Sequence, residues 1–273
     1  MWHLYSQNNK TKKEKTHSNK FISAYEELID NNRKLFNIPP IDNFFCFQDK
    51  KNISIINRRE ATQHLLYQLV TRLCIGHSKD NEKNKTVLVD AGGNNLGYLY
   101  INLTKMLVKE KYSTNKILNN IMLSRAFTPY QLANVLINEV PTLIQNLNCK
   151  MQIIVLDIFD TLLSPLANKV KSRLTENASD VRGGKTKLLN EMLQNMIDFS
   201  KDHFSVLAFT NLRKVSSKSI FSHFSQVLEI DSTHDNKKNK NKTVLHMKTI
   251  HAKKSLALDC TLEDCAAKGK YIG

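Results

Sequence analysis

No apolar run in the 273 residues is long enough to cross a bilayer, which takes about 20 consecutive apolar residues. The segment Met1–Lys20 is polar and lysine-rich, and it lacks the apolar stretch of a secretory signal. Both absences point to an intracellular protein with no membrane partner: cytoplasmic and nucleoid-associated, or nuclear in a eukaryotic host. Cysteines are few and odd in number: Cys46, Cys74, Cys149, Cys260 and Cys265. No C-x-x-C spacing occurs, so neither a disulfide framework nor a zinc site is expected. His246 and His251 precede Cys260 and Cys265, but ordinary buried or tail thiols explain that grouping better than a metal site.

Acidic residues are also scarce. Lys and Arg number 40 against 25 Asp and Glu, giving a net charge of +15 and a pI near 9.5. A positive excess of this size attracts polyanions, and nucleic acid is the commonest one inside a cell. An Asn- and Lys-rich composition that serves solubility alone would give the same total. Hydrophobic residues at 41% allow one sizeable core.

Several segments have a readable period. Phe21–Phe36 spaces apolar residues as a helix does, and Pro39 and Pro40 end it. The ISII run at Ile53 suits a strand and leads into a helix over Arg58–Cys74, with Ala61, Leu65, Leu66, Leu69, Val70 and Leu73 on one face. Thr86–Asp90, Ile121–Arg125, Gln152–Asp157, Phe204–Thr210, Gln226–Asp231 and Thr243–Thr249 suit strands. Helices are expected at Leu96–Lys109, Thr114–Asn120, Pro129 to about Leu147, and Lys187–His203. Alternating strands and helices imply a mostly parallel sheet flanked by helices, and the last two strands suggest an antiparallel hairpin.

The segments ILNNIMLSRAFTPYQL (117–132), QIIVLDIFDTLL (152–163), the stretch from Asp180 to Asn211, and LHMKTIHAKKSLALD (245–259) together resemble the RecA/RadA recombinase family, in the family's order. The resemblance runs from Phe21 to Asp259 and implies a RecA-like α/β core. It divides the chain into a basic arm (1–20), a linker (21–50), the core (51–259) and a tail (260–273).

Departures from the family pattern bear on catalysis. The family's first strand enters G-x-x-x-x-G-K-[ST], whose backbone N–H groups and lysine hold phosphates. Here ISIIN runs into RREATQHLLYQLV with no glycine. Glycine follows Asp90-Ala91 where the catalytic glutamate is expected, and Leu212 follows Thr210-Asn211 where a polar sensor is expected. Asp157 takes the place of the acid that orients magnesium. The expectation is therefore a protein that is not an enzyme, with no cofactor and no metal. The segment Gly183-Gly184-Lys185-Thr186 mimics the end of a phosphate loop, but Ser179 stands where its first glycine would be. It reads as a flexible loop.

The resemblance also implies partners. Phe21 and Ala24 form a Phe-x-x-Ala segment placed where RadA-like proteins dock on a neighbouring subunit, with the aromatic residue as anchor. Lys169, Lys171, Arg173, Arg182 and Lys185 fall in the family's first DNA-facing loop and would contact phosphates of single- or double-stranded DNA. The interval from Asn211 to Gln226 is short for a strand-exchange loop. The helix-hairpin-helix domain that RadA carries ahead of its core has no counterpart, and the basic arm would replace part of its DNA affinity. The reading is a non-catalytic RadA-like paralogue that binds DNA and modulates a RadA-type filament. Two alternatives stand: a subunit whose Asp157 serves an ATP site shared with a partner, and a regulatory protein on a RecA scaffold that does not bind DNA.

Overall fold

A computed structural model describes residues 36–45, 52–80, 83–92, 95–147, 149–163, 178–210, 223–235, 240–249 and 255–259. The elements are α1 (Pro39–Phe45), β1 (Asn52–Asn57), α2 (Gln63–Asp80), β2 (Lys85–Asp90), α3 (Asn95–Lys109), α4 (Thr114–Leu118) and β3 (Ile121–Arg125). There follow α5 (Pro129–Asn134), α6 (Val140–Asn146), β4 (Met151–Leu156), α7 (Ile158–Leu163), α8 (Ala178–Phe199), β5 (Phe204–Thr210), β6 (Gln226–Asp235), β7 (Lys240–Thr249) and β8 (Ser255–Asp259).

The sheet order is β3-β2-β4-β5-β1-β6-β7-β8. Strands β3 through β6 are parallel, while β7 pairs antiparallel with β6 and β8 with β7. Parallel strands covered on both faces must be apolar on both, and every residue of β1 and β4 is buried. The period of two then sorts their side chains. Ile154 and Leu156 join Leu66, Leu69, Leu73, Leu99, Leu103 and Leu107 under α2 and α3. Ile153 and Val155 join Leu132, Leu136, Met192, Leu193 and Met196 under α5, α6 and α8. Among the described residues no helix is long and apolar enough to cross a membrane.

Several boundaries differ from the sequence expectation. Helix α2 starts at Gln63 rather than Arg58, because Arg58–Thr62 forms a separate connection that includes a 3-10 turn at Glu60–Thr62. Ala61, expected on the apolar face, is exposed. The prolines at 39 and 40 open a helix rather than simply ending one, in keeping with proline's tolerance of the first turn. Helix α8 begins nine residues before Lys187, so Gly183–Thr186 lies inside a helix rather than in a loop.

The expected helix from Pro129 is continuous but widens to a π-helical turn over Val135–Glu139. Pro141 lies one residue inside α6, where it supplies no N–H and its ring crowds the carbonyl of Ile137. The wider turn makes that room. At the front of α5, the Thr128 hydroxyl accepts from the Gln131 amide at 3.2 Å. The Gln131 side chain in turn accepts from the Thr128 and Phe127 amides at 3.2 and 3.0 Å. This capping box, with Pro129 at the first helical position, sets where the helix begins. Replacing Thr128 by Ala should cost about 1 kcal/mol in urea unfolding, while Thr128→Ser should be nearly neutral. Equal stability of all three proteins would show that the cap contributes nothing.

Candidate functional site

The C-terminal ends of the parallel strands converge on one edge, where open α/β sheets place their ligands. Asn57 ends β1, Asp90 ends β2, Arg125 ends β3, Thr210 ends β5, and Asp157 follows β4. Asp157 reaches this edge as expected from its place after QIIVL. Its amide donates to the Ala208 carbonyl at 2.8 Å, and its Oδ1 accepts from the Thr210 amide at 2.9 Å. The carboxylate is thereby tied to β5. The backbone at Asp157 is left-handed, with φ of 51°. Asp and Asn tolerate that region better than most residues, because their short polar side chains bond locally.

Asp90 is fully buried beside it. Its Oδ1 accepts from the Gly92 amide at 3.2 Å, and its Oδ2 lies 4.0 Å from Arg125 Nε. Tyr67, on the second turn of α2, completes a buried group. Its hydroxyl accepts from Gln63 Nε2 at 2.8 Å. Burial, and then the negative charges of Asp157 and Asp90, push the phenol's pKa well above its usual value, so Tyr67 stays neutral. The Asp157 carboxyl is pushed up to about 7, first by burial and further by the charges of Asp160 and Asp90, against the opposing Thr210 amide.

The connection between β1 and α2 is the part the sequence reading treated as missing. It is present, but its space is filled by its own side chains. Asn57 Nδ2 donates to the Arg59 carbonyl at 2.7 Å, and the Thr62 hydroxyl donates to Asn57 Oδ1 at 2.6 Å. Asn57 Nδ2 also lies 3.4 Å from Thr210 Oγ1. Two ion pairs tie the connection to β6: Arg58 to Glu229 at 2.8 Å and Arg59 to Asp231 at 2.9 Å. The Arg58 amide adds a bond to the Ile230 carbonyl at 2.8 Å. Laying the eight-residue phosphate-loop pattern from Asn57 puts Thr62 at the last glycine, Gln63 at the lysine and His64 at the hydroxyl residue.

Over residues 183–271 the chain matches the model of the KAP family P-loop domain. That span is less than half of the chain, and the parallel sheet flanked by helices is consistent with a P-loop-type fold. The match starts inside α8 and takes in β5 to β8, so it includes neither Asp157 nor the connection after β1. No curated protein matches the chain.

The other residues singled out in the sequence have side chains outside the described part of the structure. Phe21, Ala24, Lys169, Lys171 and Arg173 lie outside the described residues. Arg182 and Lys185 lie on α8, with their side chains outside the described part. Sequence reasoning missed Asn57, Thr62, Tyr67, Arg58 and Arg59 as site residues. The RR pair before a helix and the acids at 229 and 231 were a signal only once β1 was known to pair with β6.

Asp157 binds a proton more tightly in the folded state than in the unfolded chain. Its contribution to stability is therefore full below about pH 4 and is lost as pH rises through about 7. Asp157→Asn removes that titration and keeps a side-chain oxygen for Thr210. The variant should lose less stability than the native chain between pH 5 and 8, with a gap on the order of a few kcal/mol at pH 8. Parallel melting curves across that range would show Asp157 to be ordinary.

Proposed function

We propose that the chain is a non-hydrolysing relative of the P-loop NTPases that acts as an accessory to a RecA-type recombinase: it binds DNA, docks on the recombinase and modulates its filament. The observation that carries the non-hydrolysing part is the self-filled connection after β1. A phosphate loop works by leaving a ring of backbone N–H groups open to the anion. In this chain the side chains of Asn57 and Thr62 bond to each other within that connection, and Gln63 supplies no positive charge where the lysine would stand. Arg58 and Arg59, the nearest cations, are engaged with Glu229 and Asp231.

The DNA and recombinase parts rest on the sequence resemblance and on the +15 charge. Fold alone does not specify them. Lys169, Lys171, Arg173, Arg182 and Lys185 are the proposed phosphate contacts, and Phe21 and Ala24 the proposed docking anchors.

Fluorescence anisotropy with labelled single-stranded and duplex oligonucleotides, across a salt series and with or without ATP, tests the reading. The expected result is DNA affinity that falls steeply with salt, because phosphate contacts release counterions, and that ignores ATP. No binding at low salt would leave a protein-only regulator. Turnover of ATP that appears only with a partner and disappears in Asp157→Ala would favour the shared-site alternative.

Docking has its own test. In a pull-down with a RadA-type recombinase, Phe21→Ala should lose the partner without lowering the melting temperature. A variant retained like the native chain would end the docking assignment.

A further inference from the structure

Seven large hydrophobic residues are exposed among the described residues, and all lie between Tyr98 and Tyr130. Four belong to α3: Tyr98, Tyr100, Ile101 and Val108. The opposite side of this helix is already spent on the core through Leu99, Leu103 and Leu107. Helix α3 is thus apolar on two sides, a pattern expected of a helix that is covered all round.

The outer side is ordered as well as apolar. Tyr98, Ile101, Lys105 and Val108 are spaced three, four and three residues apart, the spacing of the seam between two packed helices. Tyr98 is 67% exposed, Ile101 50% and Val108 71%. The Tyr98 ring lies parallel to Tyr67, with centroids 6.4 Å apart, so the first residue of the seam has a neighbour that orients it.

Charge identifies the occupant. Between Ala91 and Asn138 the chain carries Lys105, Lys109, Lys111, Lys116 and Arg125 against a single acid, Glu110. That acid faces Arg72 at 3.6 Å. Helix α3 itself has no acidic residue, and it sets an exposed lysine at an inner seam position. A lysine there selects its partner by requiring an acid across the seam. Two copies of this chain would bring two basic faces together. Nucleic acid would leave Ile101 and Val108 with nothing to stack on or bond to.

We propose that the outer face of α3 is a docking seam for an acidic amphipathic helix of a partner protein, with Tyr98, Ile101 and Val108 packing against its apolar side and Lys105 meeting a carboxylate. The seam does not rest on the phosphate-loop reading.

The test uses the full chain and two synthetic amphipathic helical peptides. They share leucines at the seam positions and differ only in carrying glutamate or lysine opposite Lys105 and Lys109. Anisotropy should show the acidic peptide bound about tenfold more tightly or better. Lys105→Glu should reverse the preference, and Ile101→Ser and Val108→Ser should each weaken the acidic peptide about tenfold while the melting temperature holds. Failure to bind either peptide, equal binding of both, or indifference to Ile101→Ser and Val108→Ser would overturn the assignment. So would displacement of the acidic peptide by oligo-dT or by phosphatidylserine vesicles. A dimer of this chain that Val108→Ser dissolves would assign the face to self-association instead.

Discussion

Strand β1 lies between β5 and β6, and that placement governs the rest of the candidate site. Because β1 is buried on both faces and paired on both edges, its end delivers Asn57 to a fixed point on the C-terminal edge of the sheet. The chain leaving that point passes beside β6, so Arg58 and Arg59 meet Glu229 and Asp231. Such half-exposed pairs are each weak. Two in succession, with a backbone bond from Arg58 to Ile230, still hold a short segment in one path. Helix α2 can begin only where that path ends.

The same pairing explains the chemistry of the edge. Asp157 sits above β5, where the Thr210 amide meets its carboxylate, and Tyr67 and Asp90 close in from α2 and β2. Burial, and then the neighbouring acids, make Asp157 harder to ionise. A nucleotide site would offset that cost with a cation and with open backbone donors. In this chain Asn57 and Thr62 bond to each other, and Asn57 also bonds to the Arg59 carbonyl. At this edge the polar groups bond among themselves, and the proposal of a non-hydrolysing chain starts from that observation.

The two sides of the molecule differ in finish. Helix α6 and the described part of α8 turn polar or mixed surfaces outward, α5 exposes Tyr130, and a π-helical turn accommodates Pro141 between α5 and α6. Helix α3, beside the edge strand β3, keeps tyrosine, isoleucine and valine exposed with lysines among them. An exposed apolar surface of that kind is a cost to a free protein unless something covers it.

The apolar strings ISII, QIIVL and FSVLAF marked three central strands without help from the fold, because a strand covered on both faces has no polar alternation to disguise it. Asp157 was legible for the same reason: it is the first polar residue after the most apolar strand. The start of α2 was not legible, since Arg58–Thr62 has helical composition and is held out of the helix by β6. The start of α8 was missed because polar residues at 178–186 mask its period. Asn57 bonds to a residue 153 positions away, and Arg58 and Arg59 to residues 171 and 172 positions away. Local periodicity and composition determined the α/β class and the residue at the sheet's edge. Only the tertiary structure decided what ties the connection after β1 to the sheet, because the ion pairs of Arg58 and Arg59 and the contact of Asn57 with Thr210 act across a few ångströms of space between residues more than half the chain apart.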